Sequence, residues 1–232
     1  MGVDALRTCD WLLLPGTLCT TEVFAGFLDA LNVPDAQRRS LTLDRGDVWD
    51  YADDLQASTR DTVICGFSLG ALVAAHHADK IDAHRLILFG LNPLADDPQK
   101  APKRQALAQD VQTMGGAAAL AARLSGFAGA HPAKVMSLVE TMADAQAPLI
   151  SAQTQLALSR PGALPALGSA RAPVVTVTGQ TDHMAPPRLG QTAANTAPRG
   201  TFAELAGLGH YALLEDPVAC AQAVRDAEDA LA

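Results

Sequence analysis

Thr62-Val63-Ile64-Cys65-Gly66-Phe67-Ser68-Leu69-Gly70-Ala71 is the stretch that decides how this chain folds. Thr62–Cys65 is apolar and β-branched with no polar alternation, the pattern of a strand buried on both faces. Gly66-Phe67-Ser68-Leu69-Gly70 then interrupts it as a G-x-S-x-G, and Ala71–Lys80 reads as helix. A strand, an abrupt turn flanked by glycines and a helix form the setting that lifts a serine hydroxyl above a sheet. The glycines are needed because a side chain at either flank would collide with backbone in so tight a turn.

The same alternation extends in both directions. Trp11–Leu14 is a short apolar run stopped by Pro15-Gly16. Ser40–Leu43, Arg85–Gly90, Pro173–Thr178 and Thr201–Leu205 read as further strands. Between them, Glu22–Leu31 carries an apolar helical face, and Trp49–Ser58 places Trp49, Ala52 and Leu55 inward. Pro217–Leu231 closes the chain with Val218, Ala221, Val224 and Ala227 at helical spacing. Strands alternating with helices predict an α/β fold with a mainly parallel sheet of about six strands, helices on both faces. Leu94 to Pro165 breaks the pattern. Ala101–Met114, Gly116–Leu124, Pro132–Ala143 and Pro148–Ser159 all read as helices, punctuated by glycine and proline. The expected organisation is a core of residues 1–93 and 166–232 with a helical lid at 94–165. Its apolar residues, among them Leu107, Leu120, Leu124, Phe127, Met136 and Met142, are divided between sheet and pocket.

Composition bounds the function. The chain has 232 residues, 49% hydrophobic and 18% charged, which excludes a wholly disordered protein. A formal net charge of −8 disfavours a nucleic-acid partner, because phosphate binding rests on cationic side chains. No apolar run reaches the ~18–20 residues that span a bilayer. Met1–Asp10 contains Asp4, Arg7 and Asp10 and no apolar segment of a secretory signal. Leu6 stands where a myristoylation pattern requires Ser or Thr. Cys9, Cys19, Cys65 and Cys220 show neither metal-site spacing nor C-x-x-C. These features predict a reduced, cytoplasmic protein without a membrane partner, as monomer or homodimer, acting on a small molecule.

Ser68 needs a base to take its proton. Of six histidines, His76 and His77 lie mid-helix, His84 at a polar turn, His131 in the helical insertion, and His183 beside Asp182. His210 alone sits on a glycine-rich loop, Gly207-Leu208-Gly209-His210, late in the chain after the last strand. The acid that orients it should end a strand between the two; Asp182, on the loop after Pro173–Thr178, fits. Asp96 and Asp97, after the fourth strand, are the alternatives. Backbone N–H groups must meet the developing oxyanion. Leu69 opens the helix after the nucleophile and is one donor. The second comes from Leu14-Pro15-Gly16-Thr17-Leu18, with Thr17 preferred and Leu18 the alternative.

Leu-Pro-Gly-Thr, Gly-Phe-Ser-Leu-Gly, Gly-Gln-Thr-Asp with Pro186 beyond it, and Gly-His-Tyr followed by Glu215-Asp216-Pro217 together resemble the α/β-hydrolase fold family across nearly the whole chain. The likeness is strongest to small, lidded esterase-like members, such as carboxylesterases of the pimeloyl-ester type and related C–C hydrolases. It implies a serine hydrolase with neither metal nor organic cofactor. Ser68 is then the nucleophile, His210 the base and Asp182 the acid, in the family's order of serine, acid, histidine. Two departures stand out. Pro15-Gly16 replaces the usual His-Gly of the oxyanion loop, and Ala71 replaces a glycine that often follows the elbow. The antiparallel hairpin that opens many relatives is expected to be absent or vestigial, with the Ser40–Leu43 strand at one edge. Hydrolysis of a small carboxylic ester is the function expected. C–C, thioester or lactone hydrolysis by the same residues is the alternative, and a non-catalytic ligand-binding module is a third reading, since a fold does not fix its function.

Overall fold

The computed structural model describes residues 4–121, 123–124 and 131–231. Asp10–Leu14 (β1), Arg38–Ser40 (β2), Thr62–Phe67 (β3), Arg85–Phe89 (β4), Val174–Gly179 (β5) and Gly200–Leu205 (β6) form one six-stranded sheet, ordered β2-β1-β3-β4-β5-β6. Every neighbouring pair is parallel. The order reverses between β1 and β3. In open parallel sheets that reversal leaves a crevice beyond the strands' carboxyl ends. Both the turn after β1 and Ser68 after β3 lie at that end.

The period-two geometry of a strand sorts the apolar runs into two cores. Trp11, Leu13, Val63, Cys65, Phe67, Ile87, Phe89, Val175 and Val177 point to one face. There they pack with Phe27 and Leu28 of helix Ala25–Ala30 and Cys220, Ala221 and Val224 of the last helix, Pro217–Leu231. Leu12, Leu14, Ile64, Leu86, Leu88 and Val174 point to the other, against Tyr51, Leu55 and the wholly buried helix Leu69–His76. Edge-to-face contacts of Trp11 with Phe27 (5.9 Å) and Phe27 with Phe89 (5.1 Å) knit the first core.

Some sequence expectations shift. β2 is Arg38–Ser40 instead of Ser40–Leu43, paired Trp11↔Arg38 to Leu13↔Ser40, with Leu41 N–H donating to Leu13 C=O before the chain departs. An edge strand has one neighbour and needs no apolar run, and its arginines guard the open edge. Leu43 is buried as an anchor in the second core. Trp49 is 50% exposed. Val48–Tyr51 is a 3₁₀ turn, whose three-residue period puts Val48 and Tyr51 on the buried side instead. Val218 is 64% exposed, because the first turn of the last helix overhangs the core that Cys220, Ala221 and Val224 enter.

Helix Pro187–Thr196, unmarked by the sequence, makes the crossover from β5 to β6. It is amphipathic, with Leu189, Gly190, Ala193 and Ala194 buried along one face. The 94–165 segment holds helices Ala101–Met114, Gly116–Ala121, Pro132–Gln146 and Ile150–Ser159; Phe127 lies outside the described residues. Among the described residues no helix is long and apolar enough to cross a membrane.

Arg85, at the start of β4, is buried and pairs with the fully buried Glu228 of the last helix, with His84 Nε2 3.6 Å from Glu228 Oε2. Burial pushes the Glu228 carboxyl up. The neighbouring His84 and Arg85 outweigh burial and hold it below its ordinary value of 4.5. The native carboxyl thus binds its proton more weakly than the unfolded one. Its stabilisation is in place above about pH 4.5 and is lost as pH falls through the lowered native value. Glu228→Gln is expected to cost about 3 kcal/mol at neutral pH, since it leaves Arg85 buried without its counter-charge. Denaturant titrations from pH 7 to pH 3 should show wild type and variant converging at the acid end.

Candidate active site

The turn after β3 holds Ser68 at φ 52° and ψ −110°, a left-handed conformation that costs a non-glycine residue about 1–3 kcal/mol. Packing on both sides enforces it. A Cβ at Gly70 would lie 1.9 Å from the Leu14 carbonyl oxygen, and one at Gly66 would lie 2.5 Å from the Ala71 Cα. The Ser68 amide donates to Phe89 C=O at 2.9 Å, tying the turn to the end of β4. The hydroxyl therefore stands at the crevice with almost no freedom in the backbone that carries it.

His210 arrives on the loop after β6. Its Nε2 lies 3.1 Å from Ser68 Oγ and its Nδ1 2.7 Å from Asp182 Oδ2. Asp182 is buried, and its second oxygen accepts from the amides of Met184 and Ala185, both at 2.8 Å. With Oδ1 so engaged, Oδ2 is directed at the imidazole. Nδ1 then carries the proton and Nε2 is free to accept one from the serine. The two loops are bound to each other: the Thr181 amide and hydroxyl both donate to Leu208 C=O. Glu215 accepts from the Gly209 amide and steadies the loop next to His210. The Phe67 ring lies 5.1 Å from the imidazole.

The turn after β1 supplies the remaining polar groups. The Leu18 amide donates to Gln153 Oε1 at 2.9 Å, in a buried bond from helix Ile150–Ser159. That bond occupies the alternative oxyanion donor and leaves Thr17 as the candidate on this loop. Thr17 and Leu69 line one cavity with Ser68 and His210. The runner-up acids are elsewhere. Asp96 pairs with Arg104 and Arg160, and Asp97 caps a turn by accepting from the Gln99 amide. Burial pushes the Cys19 thiol up to about 12, so it stays protonated at neutral pH. All four cysteines are free and buried.

The space over Ser68 has two lobes that share Thr17, Ser68, Arg104, Ala157, Met184 and His210. One, about 90 Å³, adds Leu69, Asn92 and Arg160. The other, about 140 Å³, adds Phe67, Leu107, Leu120, Leu124 and Tyr211. Both are small beside the ~300–1,000 Å³ of drug-sized sites, so the space suits a small molecule. Of the apolar residues expected to divide between sheet and pocket, Leu107, Leu120 and Leu124 line the second lobe, while Met136 and Met142 line neither and Met142 is part of the first core.

Sequence reasoning gave no site role to Gly90, Gln153, the arginine pair or Glu215, although Glu215-Asp216-Pro217 is one of the pieces that carry the family resemblance. Gly90 carried a local signal, a glycine directly after an apolar strand. Gln153 and Arg160 act across long sequence separations, on Leu18 and Asp96.

The sequence model of the alpha/beta hydrolase family matches residues 11–223. No protein with a curated description matches the sequence significantly. Among solved structures, the chain is similar to a thermophilic esterase from Thermogutta terrifontis, with TM-score 0.76 and 20% identity over 94% of this chain and 88% of that one. It is similar to an esterase from Exiguobacterium antarcticum, with TM-score 0.77 and 15% identity over 95% and 92%. It also resembles the enol-lactonase from Burkholderia xenovorans, with TM-score 0.72 and 19% identity over 94% and 91%. At these identities the likeness speaks to the fold.

Gly90 has φ +58°, and a Cβ there would stand 3.0 Å from His210 Cε1 and 3.2 Å from Nδ1. Gly90→Ala should therefore displace the imidazole. Since misplacement by about 1 Å can cost ~100-fold, labelling of Ser68 by a fluorophosphonate should slow by at least about tenfold, with unfolding still cooperative. An unchanged labelling rate would mean that the ring is not held by this contact.

Proposed function

Because the chain is an enzyme of the alpha/beta hydrolase family, we propose that it is a serine hydrolase that cleaves a small carboxylic ester through an acyl-enzyme intermediate. The observation that carries this reading is the hydrogen-bonded chain from Asp182 through His210 to Ser68 at the floor of the cavity. Ser68 Oγ attacks the ester carbonyl as His210 Nε2 takes its proton. The carbonyl π electrons move to oxygen, and the N–H groups of Thr17 and Leu69 receive that charge. The donors are worth most where water is excluded. Collapse of the tetrahedral adduct breaks the C–O bond, and the imidazolium gives its proton to the departing alcohol. Water, deprotonated by the same imidazole, then releases the acid. Asp182 keeps the imidazole in the right tautomer and stabilises its cation throughout.

Residues 94–165 act as a lid in this reading, on a core of 1–93 and 166–232. Its support is that Arg104, Leu107, Leu120, Leu124, Gln153 and Ala157, all from that segment, line the space above Ser68.

Ser68→Ala should fold like wild type and lose turnover by several orders of magnitude on p-nitrophenyl esters, and a fluorophosphonate should label wild type at Ser68 alone. Asp182→Asn should lower kcat by about 10⁴-fold through the wrong tautomer. Asp97→Asn should not. The same panel, extended to thioester, lactone and C–C substrates, ranks the bond types. Full activity in Ser68→Ala ends the serine-hydrolase reading.

Leucine-to-alanine substitution at 107, 120 and 124 should raise kcat/KM for longer acyl esters relative to short ones. Met136→Ala should leave that ratio where it is. If none of the three leucines changes the ratio, the insertion does not select the acyl group.

A further inference from the structure

Two arginines of the 94–165 segment line the cavity that holds the serine. Arg104, on helix Ala101–Met114, lines both lobes, and Arg160, just after helix Ile150–Ser159, lines the smaller one with Asn92. Their shared counter-charge is a single carboxylate. Arg104 Nη2 lies 2.6 Å and Arg160 Nη1 3.2 Å from the same atom, Asp96 Oδ1. Arg104 Nε also donates to that oxygen, at 2.9 Å. Among the described residues lining the two lobes there is no aspartate or glutamate. Two arginines thus share one carboxylate, which leaves the trio with a net positive charge at the wall of the cavity that Ser68 also lines.

That charge is held in place. The Arg160 side chain is 4% exposed and donates to the carbonyls of Ala157 and Leu94. Burial and the neighbouring Arg104 push its guanidinium down from 12.5 to about 10, against the pull of Asp96. A fixed, desolvated guanidinium with too little negative charge around it is costly unless an anion completes the group. Guanidinium forks match the planar geometry of a carboxylate, which a lysine in their place would not. The opposite lobe shares Arg104 but not Arg160, and Phe67, Leu107, Leu120 and Leu124 make it the more apolar of the two.

We propose that Arg104 and Arg160 form a carboxylate-binding subsite, so that the substrate is a small ester bearing a free carboxylate near the scissile bond. This rests on the reading of Ser68 as the nucleophile of a hydrolase. The carboxylate is bound in the smaller lobe with Asn92 beside it, and the uncharged part of the substrate fills the leucine-lined lobe.

The test compares anionic esters with neutral isosteres. Monomethyl glutarate carries the carboxylate on the acyl side, with methyl 4-carbamoylbutanoate as its neutral match. 4-Acetoxybutyrate carries it on the alcohol side, matched by 4-acetoxybutyramide. Wild type should prefer the anionic member of at least one pair by about tenfold to a hundredfold in kcat/KM, the span expected of hydrogen bonds to a charged group. Which pair shows the preference tells which side carries the charge. Arg104→Gln and Arg160→Gln should each reduce the ratio toward one, and Asp96→Asn, which frees positive charge, should raise it. If buried Arg160 cannot be replaced without unfolding, Arg104, 31% exposed, carries the test. Calorimetric binding of glutarate to Ser68→Ala, lost when Arg104→Gln is added, reads the subsite without catalysis. Equal rates on both members of both pairs, with no glutarate binding, overturn the subsite and leave the hydrolase reading intact. A preference that survives both arginine variants also overturns it. Arginine-dependent glutarate binding without Ser68-dependent hydrolysis of any ester keeps the subsite and overturns the hydrolase reading.

Discussion

Everything at the site depends on how closely the end of β1 crosses the start of the helix after β3. The Leu14 carbonyl lies so near Gly70 that no other residue fits there. That contact fixes two things together. It sets the pitch of the helix whose first turn carries Ser68 and Leu69. It also sets where the β1 turn, with Thr17, emerges over the crevice. Ser68 and both candidate donors are thereby referenced to one backbone contact instead of to flexible side chains. The strain at Ser68 is sustained because β3, β4 and the β1 turn all constrain the same few atoms.

Around that fixed point the parallel sheet delivers the other groups at the ends of strands far apart in sequence. β5 brings Asp182 and β6 brings His210, and both loops close on each other through Thr181 and Leu208. The electrostatic logic is local: two amides hold one Asp182 oxygen so that the other faces the ring. Rigid strands thus do the coarse positioning and a few loop hydrogen bonds the fine.

The candidate site's main parts are legible in the chain because each sits where an apolar run meets a glycine or a turn. Ser68, Asp182 and His210 all follow strands, and strand ends are the easiest boundaries to find. β2 was misplaced because an edge strand is bought little by hydrophobic content, and Arg38 and Arg39 belong to the ladder while Leu43 does not. The helical period that places Trp49 inward fails because Val48–Tyr51 is a 3₁₀ turn. The arginine pair and Gln153 could not be found by local pattern. Their meaning comes from partners, Asp96 at eight and sixty-four positions' remove and Leu18 at 135.

The bond from Gln153 to the Leu18 amide reaches beyond the cavity itself. It ties helix Ile150–Ser159 of the 94–165 segment to the turn that bears Thr17, so that a change in one bears on the other. A chimera that replaced residues 94–165 with the corresponding piece of a relative would import new walls for the cavity. It would also strip a buried amide of its acceptor at a residue already held at φ 57°. Grafting for altered selectivity in this scaffold must therefore carry a glutamine-like acceptor at that point of the helix, or redesign the β1 turn with it.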